Sequence, residues 1–491
     1  MNYKVHAYIL GRLLQVEAAL LAAPLLTALI FQEGQLVYRA YLIPILLTLA
    51  LGQLLSWKKP EDIKVYTRDG LVLAALIWLV YSLLGALPLC LTGELPNYVD
   101  ALFQIISGFT TTGASVIPNI EAISRASQFW LAFSHLVGGM GVLVFAMTLL
   151  QGLGPSSVNL MKAEVPGPSF GKINSRLKDT ARRLYLIYLC MTGILVLALI
   201  LAGMNFFDAL THSFSIAGTG GISNYSLSIA HFDSLAIDLV CSFGMLAFAV
   251  NFNIYHYLLL SRGKDRIRSE ELSWFTVIVL SATLSMSLNI LPQYLAQGQN
   301  YGRALRDAFF ACSAIISTTG FVTADFNSWP LFSHLVLLFL MFVGGCAGST
   351  AGGLKVSRVG MLIKSGLQGV RAAFEPKRAL PLRWEYRAVD QEESHKIMQY
   401  FIIYVLIFFF CLVVLSFDQV NYGEAFSAVT SCFNNVGPAF GKFGPRFSYA
   451  SLTNLSKLTL SLAMIAGRLE IYPLLMLVHV LYKLIQKPLK N

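Results

Sequence analysis

Long apolar runs separated by short polar stretches dominate this chain, and their length is the first signal. Runs at 8–31, 40–57, 70–92, 128–151, 184–203, 234–260, 274–291, 328–362, 399–416 and 464–482 are each close to, or longer than, the ~20 residues that carry a helix across a hydrocarbon core. The pattern predicts ten membrane-spanning segments. The run at 328–362 is too long for one crossing and holds a cluster of glycines, so an interruption is expected there. The amino-terminal run is too long for a cleavable leader and lacks a convincing small-residue cleavage site, so it is expected to stay as the first span.

Between the later runs lies a second kind of segment. ISGFTTTGASV at 106–116 sets hydroxyls and glycines among leucines and valines, and it recurs. NYVDALFQIISGFTTTGAS at 97–115, NFFDALTHSFSIAGTGGIS at 205–223, ALRDAFFACSAIISTTGFV at 304–322 and NYGEAFSAVTSCFNNVGPA at 421–439 align without a gap. An acid stands at Asp100, Asp208, Asp307 or Glu424, and thirteen residues later comes Gly113, Gly221, Gly320 or Gly437. Two before each glycine is Thr111, Thr219, Thr318 or Asn435. Glycine spacings of 108, 99 and 117 residues make this an internal repeat. Each copy lies between two apolar runs.

The unit has a direct physical reading. An acid followed by about eight helix-compatible residues suits a short helix with the carboxylate near its positive amino end. Too short to cross, such a helix must dip in from the outer face and end at Thr-x-Gly. Irregular backbone at that depth is tolerated only where protein buries it or water reaches it. Four such stretches around one axis would present carbonyls and negative helix ends to a dehydrated cation. Successive inward carbonyls need backbone angles that alternate in hand, and glycine reaches positive φ without steric cost. Threonine and glycine in four loops are also the pattern of backbone-carbonyl potassium filters.

Charge adds orientation. Ten spans with both termini on one side bring 1–12, 58–69, 152–183, 261–273, 355–398 and 483–491 together, and these hold 28 of the 36 Lys and Arg. The positive-inside rule makes that side cytoplasmic. Topology thus accounts for the net charge of +10, and no nucleic-acid partner is implied. Cys90, Cys190, Cys241, Cys312, Cys346, Cys411 and Cys432 form no metal spacing and read as small buried hydrophobes. FSHL occurs at 133–136 and 332–335, and without carboxylates at ligand spacing its histidines read as satisfied helix residues.

These residues carry a likeness. The span–pore-helix–filter–span unit repeated four times, LLGALPL at 83–89, SGFTTTGAS at 107–115, GGCAGSTAGGLK at 344–355 and GRLE at 467–470 resemble the Trk/Ktr/HKT superfamily of potassium transporters. Two additional amino-terminal spans and the chain length make its TrkH-type pore-forming subunits the nearest members. The resemblance covers essentially the whole chain. It implies an all-α membrane protein with fourfold pseudo-symmetric repeats plus two extra amino-terminal helices. The divisions expected are 1–69 for the hairpin, then repeats at 70–160, 161–261, 262–380 and 381–491. The candidate filter is Thr111, Thr112 and Gly113; Thr219, Gly220 and Gly221; Thr318, Thr319 and Gly320; and Asn435, Val436 and Gly437, with K+ as transported ion. The fourth copy departs from Thr-x-Gly, as the family's loose fourth filter does, which weakens pure potassium selectivity.

Below the filter, Gly344, Gly345, Gly348, Ser349, Thr350, Gly352 and Gly353 make poor helix, each glycine costing roughly 1 kcal/mol against alanine. Close helix packing is one reading; a broken helix forming a loop in the pore is the other, and the resemblance implies a gating loop. Arg468 is a basic residue well inside an apolar run. It is read as facing the cavity below the filter, with a structural ion pair as the alternative; Glu470 is a poor partner within one straight helix. Further implications of the resemblance are a homodimer, a cytosolic TrkA-like nucleotide-binding regulatory subunit docking on 152–183 and 355–398, and a bacterial inner membrane. Surrounding lipids are the remaining partner, and no bound cofactor is expected.

Other classes fit less well. A sodium-permeable or K+/Na+-coupled transporter of the same superfamily would favour serine in place of Gly113. An inverted-repeat secondary transporter predicts sites on broken spans, not four parallel re-entrant copies. An intramembrane enzyme lacks a nucleophile–base or metal constellation. Orientation is testable: a reporter fused after Asn491 should be cytoplasmic, and a tag inserted near Gln299 should be labelled from outside. The reverse pattern would overturn the ten-span topology.

Overall fold

Helices built from these apolar runs set the frame. The computed structural model describes residues 3–60, 66–141, 177–260, 269–375 and 381–486. Among them, six helices are long and apolar enough to cross a membrane: Tyr3–Ile30, Gln35–Ser56, Arg68–Leu91, Arg182–Leu201, Glu270–Ala296 and Gln391–Leu415. The first two pair as a hairpin, crossing where a Cβ at Gly11 or at Gly52 would strike the other helix's backbone. That small-residue crossing lets the backbones touch. The hairpin packs against the first repeat.

Each of the last four long helices is the outer span of a repeat and is followed by a short pore helix. The pore helices are Tyr98–Phe109, Phe206–Gly218, Tyr301–Ile316 and Tyr422–Phe433. Each then returns through a loop to an inner helix: Arg125–Gly139, Leu235–Ala249, Leu331–Val343 or Asn454–Arg468. Every pore helix packs against the inner helix of the repeat before it, and the first packs against the inner helix of the fourth. The four units therefore form a closed ring. The expected repeat boundaries at 160, 261 and 380 lie outside the described residues, as does most of 152–183.

The inner spans differ from the sequence reading. The runs at 234–260 and 464–482 are not single helices. In the second repeat, Leu235–Ala249 and Phe252–Leu258 meet at 92°; in the fourth, Asn454–Arg468 and Tyr472–Leu484 meet at 119°. In the third, Leu331–Val343 gives way to irregular backbone and resumes as Val356–Phe374. Breakage at this level is thus shared, and not peculiar to the glycine cluster. The polar stretch that follows Val356–Phe374 contains a two-stranded hairpin, with Arg383 opposite Ala388 and Trp384 opposite Arg387.

Candidate functional site

The four pore helices begin alike. Asn97, Asn205, Asn300 and Asn421 cap them, each side chain accepting from a backbone N–H of the first turn. Asp100, Asp208 and Glu424 follow within that turn, near the positive helix end. Asp307 does not, because the third helix begins earlier, at Tyr301. The acids are fasteners. Asp100 accepts from Lys457 Nζ at 2.6 Å, and Asp208 accepts from Asn224 Nδ2 at 2.7 Å and Tyr225 OH at 2.8 Å. Asp307 accepts from Tyr294 OH at 2.9 Å and Glu424 from the Lys442 N–H at 3.1 Å. Burial and the Asp208 carboxylate push the Tyr225 phenol up to about 12, which keeps it a donor.

They also end alike. Thr111 N–H bonds back to Gly108 O, and Thr112 N–H to Ser107 O. The same two bonds recur from Thr219 and Gly220, from Thr318 and Thr319, and from Asn435 and Val436. This paired closure is a Schellman-type cap, whose pivot is left-handed and usually glycine. Here the pivots are Thr111, Thr219, Thr318 and Asn435, at φ 53°, 59°, 56° and 56°. Left-handed backbone in a residue with a Cβ costs of order 1–3 kcal/mol and persists only where the surroundings hold it. Gly113, Gly221, Gly320 and Gly437 are left-handed too, at φ 75°, 66°, 78° and 103°. The residue between is not, so the hand alternates.

Those glycines have a second reason to be glycine. A Cβ at Gly113 would overlap Gly220 O; one at Gly221 would overlap Thr319 O; one at Gly320 would overlap Val436 O. The circuit closes at Gly437, where a Cβ would stand 2.6 Å from Thr112 O. Each repeat's glycine lies against the middle carbonyl of the next, so no side chain fits at any of the four. All four line one cavity of about 340 Å³, together with Ser115, Ser223, Tyr225 and Tyr449. The Tyr449 hydroxyl braces the ring by donating to Gly437 O at 2.9 Å.

On the other side of the ring lies the glycine cluster. Residues 344–355 form turns and bends whose backbone bonds to several neighbouring elements. Gly352 N–H donates to Thr318 Oγ1 at 2.7 Å, Thr219 Oγ1 to Thr350 O at 3.0 Å, and Gly353 N–H to Asn434 O at 3.0 Å. Cys346 N–H and Thr350 Oγ1 cap Ala249 O and Phe248 O, the carbonyls left open where the second inner helix breaks. The segment therefore sits directly against three of the four Thr/Asn pivots or their neighbours.

Arg468, read from the sequence as facing the cavity below the filter, has a buried side chain. It ends the fourth inner helix and donates to Thr350 O at 2.6 Å and to Gly138 O and Gly139 O at 2.7 and 2.6 Å. It thereby clasps the loop to the carboxyl end of the first inner helix. Glu470, beyond the break, pairs with Arg358. The straight-helix geometry expected for 468 and 470 does not apply, because Glu470 and Ile471 are left-handed at φ 58° and 67°.

Sequence reasoning missed two contributors. The asparagine caps were visible in the aligned repeats as Asn97, Asn205 and Asn421. His135 had no such signal. Its imidazole is buried against Gly220, where a Cβ would stand 2.6 Å from ring atoms. It is not a satisfied helix histidine: neither ring nitrogen has a hydrogen-bond partner among the described residues, whereas His334 Nε2 meets Phe326 O at 2.6 Å. Gly220 stands where the other copies have Thr112, Thr319 and Val436, so the ring of His135 occupies the space of the missing side chain. Of the cysteines, five are buried, while Cys90 is half-buried and Cys190 exposed.

A protein-family model described as TrkH, cation transport protein, matches residues 39–484. The Trk system potassium uptake protein TrkH of Halomonas elongata is 35% identical over 484 residues, 97% of this chain and 98% of that one. Trk system potassium uptake protein TrkG of Escherichia coli K12 is 32% identical over 480 residues, again 97% and 98%. The crystal structure of the potassium transporter TrkH from Vibrio parahaemolyticus superposes with a TM-score of 0.86 at 31% identity, covering 97% of this chain and 98% of that one.

The His135–Gly220 fit can be tested by reciprocal substitution. Gly220→Ala should destabilise the folded protein by about 1–3 kcal/mol, the usual cost of overpacking. Adding His135→Ala should recover most of that loss. Melting of the single and double variants checks it, and equal losses in both would mean that the ring does not fill this space.

Proposed function

The chain belongs to the TrkH family of cation transport proteins, and from that premise we propose that it is a potassium-uptake pore subunit conducting K+ through the four-loop ring. One observation carries the reading: four left-handed glycines each lie against the middle carbonyl of the next repeat, leaving no room for a side chain. Such a ring offers a dehydrated cation oxygen ligands in a fixed cage, and the negative ends of four pore helices point the same way. Relatives bearing the name potassium uptake protein make K+ the first ion to test. In this reading Thr111, Thr112, Gly113 and their counterparts hold K+ as cargo.

The fourth copy supports a second reading, a sodium-permeable or K+/Na+-coupled transporter. Asn435 Nδ2 donates to Thr112 Oγ1 at 2.9 Å and to Met464 O at 3.0 Å. One strand of the cage is thereby held by an amide and lined by Val436 instead of a threonine. Gly113 favours potassium.

The segment 344–355 serves as the gate. Its bonds to Thr219, Thr318 and Asn434 set it against the inner side of the ring. Opening requires the Arg468 clasp on Thr350 to release. Control from outside the chain would come from a cytosolic nucleotide-binding regulatory subunit docking near 355–398, with the pore subunit paired as a homodimer. Both termini would face the cytoplasm of a bacterial inner membrane.

Uptake of potassium and rubidium in a transport-deficient strain, with sodium as competitor, tests the main claim. The parent chain should restore growth at low potassium. Gly113→Ser should lose discrimination against sodium, and reversal potentials equal to the parent's would remove the filter from this ring.

The gate is tested on reconstituted protein. Arg468→Ala should raise flux through protein that still folds. If it lowers only yield and melting temperature, the clasp is structural, as loss of one partner from a buried charged network would predict. Shortening 344–353 by several residues should raise flux more than it changes ion preference. A shortened chain that folds and conducts no more than its parent would leave the glycines to close packing.

A further inference from the structure

The gate reading leaves open what holds the loop shut from the far side of the ring. Glu271 stands in the first turn of the outer span Glu270–Ala296, with its side chain buried. One of its carboxylate oxygens accepts from Ala347 N–H at 2.8 Å and from Ser357 N–H at 3.0 Å. Ala347 lies in one limb of the 344–355 segment, and Ser357 in the first turn of Val356–Phe374, the helix into which the other limb runs. A single atom therefore staples the two limbs together and fixes both to a spanning helix that belongs to neither.

Glu271 is itself held. The Glu385 carboxylate caps the same helix end, one oxygen accepting from Ser269 Oγ at 2.9 Å and Glu271 N–H at 3.0 Å, the other from Glu270 N–H at 3.1 Å. In return Glu385 N–H donates to Glu270 Oε2 at 3.1 Å. Glu385 and Tyr386 are the two turn residues of the hairpin, and both are left-handed, at φ 50° and 61°. Two-residue hairpin turns of this hand prefer asparagine and glycine. Neither is present, so backbone strain here is held by side-chain contacts. Behind the turn, Trp384 is fully buried against Gly360, and Lys364 pairs with Glu270 and lies 5.1 Å from the Trp384 ring centre. Tyr386, at the tip, is 69% exposed.

We propose that the Arg383–Ala388 hairpin is the lever of the gate, with Glu385 and Glu271 as positioning residues: displacing the hairpin tip pulls Glu385 off the helix end, shifts Glu271 and releases both limbs of the loop. This rests on the gate reading above. Tyr386 and Arg387 stand exposed at the tip, and the strained turn returns little of its own stability once the cap is lost. Lys355 at the second limb, whose Nζ bonds Ala351 O, keeps the loop's internal turn intact when the staple opens.

The test is rubidium flux through the full chain in proteoliposomes without any partner, read beside melting temperature. Glu271→Ala should raise flux about tenfold, the change expected when the bias of one charge-assisted hydrogen bond is removed. Glu271→Gln keeps an acceptor oxygen and should return most of the lost closure. Glu385→Ala, which leaves the carboxylate at 271 in place, should raise flux by a smaller factor; it also carries the test if Glu271→Ala fails to fold. Variants that melt earlier but conduct like the parent, while the loop-shortened chain conducts more, would overturn the lever and leave the gate standing. A loop-shortened chain that conducts no more than the parent would remove both.

Discussion

A helix that stops inside a bilayer leaves carbonyl and N–H groups with no water to turn to, and the middle of this molecule is arranged around that shortage. The inner helices of the second and fourth repeats break at mid-depth, and the third dissolves into turns. The loop after Val343 satisfies the open carbonyls of Phe248 and Ala249; Arg468 satisfies those of Gly138 and Gly139. What reads along the chain as a weak helix and a misplaced arginine is, in three dimensions, the set of donors that the broken helices need. The candidate gate and the structural repair are the same atoms. Moving the loop must therefore expose carbonyls, and opening is tolerable only if water or ions replace the lost donors.

The ring above it follows a stricter rule. Glycine was expected at 113, 221, 320 and 437 for its freedom in φ. The structure adds crowding: each Cα is pressed against a carbonyl of the next repeat, so the four positions are coupled in a circuit. The left-handed threonines beneath have no such freedom and are held instead by contacts on every side, including hydroxyl bonds to the loop. Asymmetry enters where side chains differ. Gly220 is matched by the imidazole of His135, and Asn435 spans to Thr112 and Met464. A chain with four unequal copies can tune each quarter of a ring separately, which four identical subunits cannot do.

How much of this could be read in advance depended on whether the cause was local. Repeats, pore-helix limits and the glycine positions were legible because their signals, an acid, an apolar stretch and Thr-x-Gly, recur at fixed spacing. The third acid misled, since Asp307 keeps its spacing to Gly320 while its helix starts earlier, at Tyr301. The break at Val250–Asn251 was illegible: no glycine or proline stands beside it, and the donors to Phe248 O and Ala249 O come from the 344–355 segment. At Leu469–Ile471, Gly467 and Pro473 flank the break, but Arg358, which holds Glu470 there, lies 112 residues away. The same holds for Glu271 and Glu385, ordinary acids in sequence whose partners lie 76 and 114 residues away.

The closed packing order has a consequence for how such a protein is made. The first pore helix leans on the last inner helix, through Asp100 and Lys457, 357 residues apart, and Asn435 reaches Thr112 across 323. Closing so large a loop is slow and entropically late. Three quarters of the ring can assemble as the ribosome feeds the membrane, but the seam between first and fourth repeats must wait for the end of translation. Until then the central ring is unclosed, missing the last set of carbonyls and the arginine that clasps the loop. A truncated or stalled chain is thus an unfinished ring, and if that ring is the filter proposed above, such a chain has nothing to bind an ion on all sides.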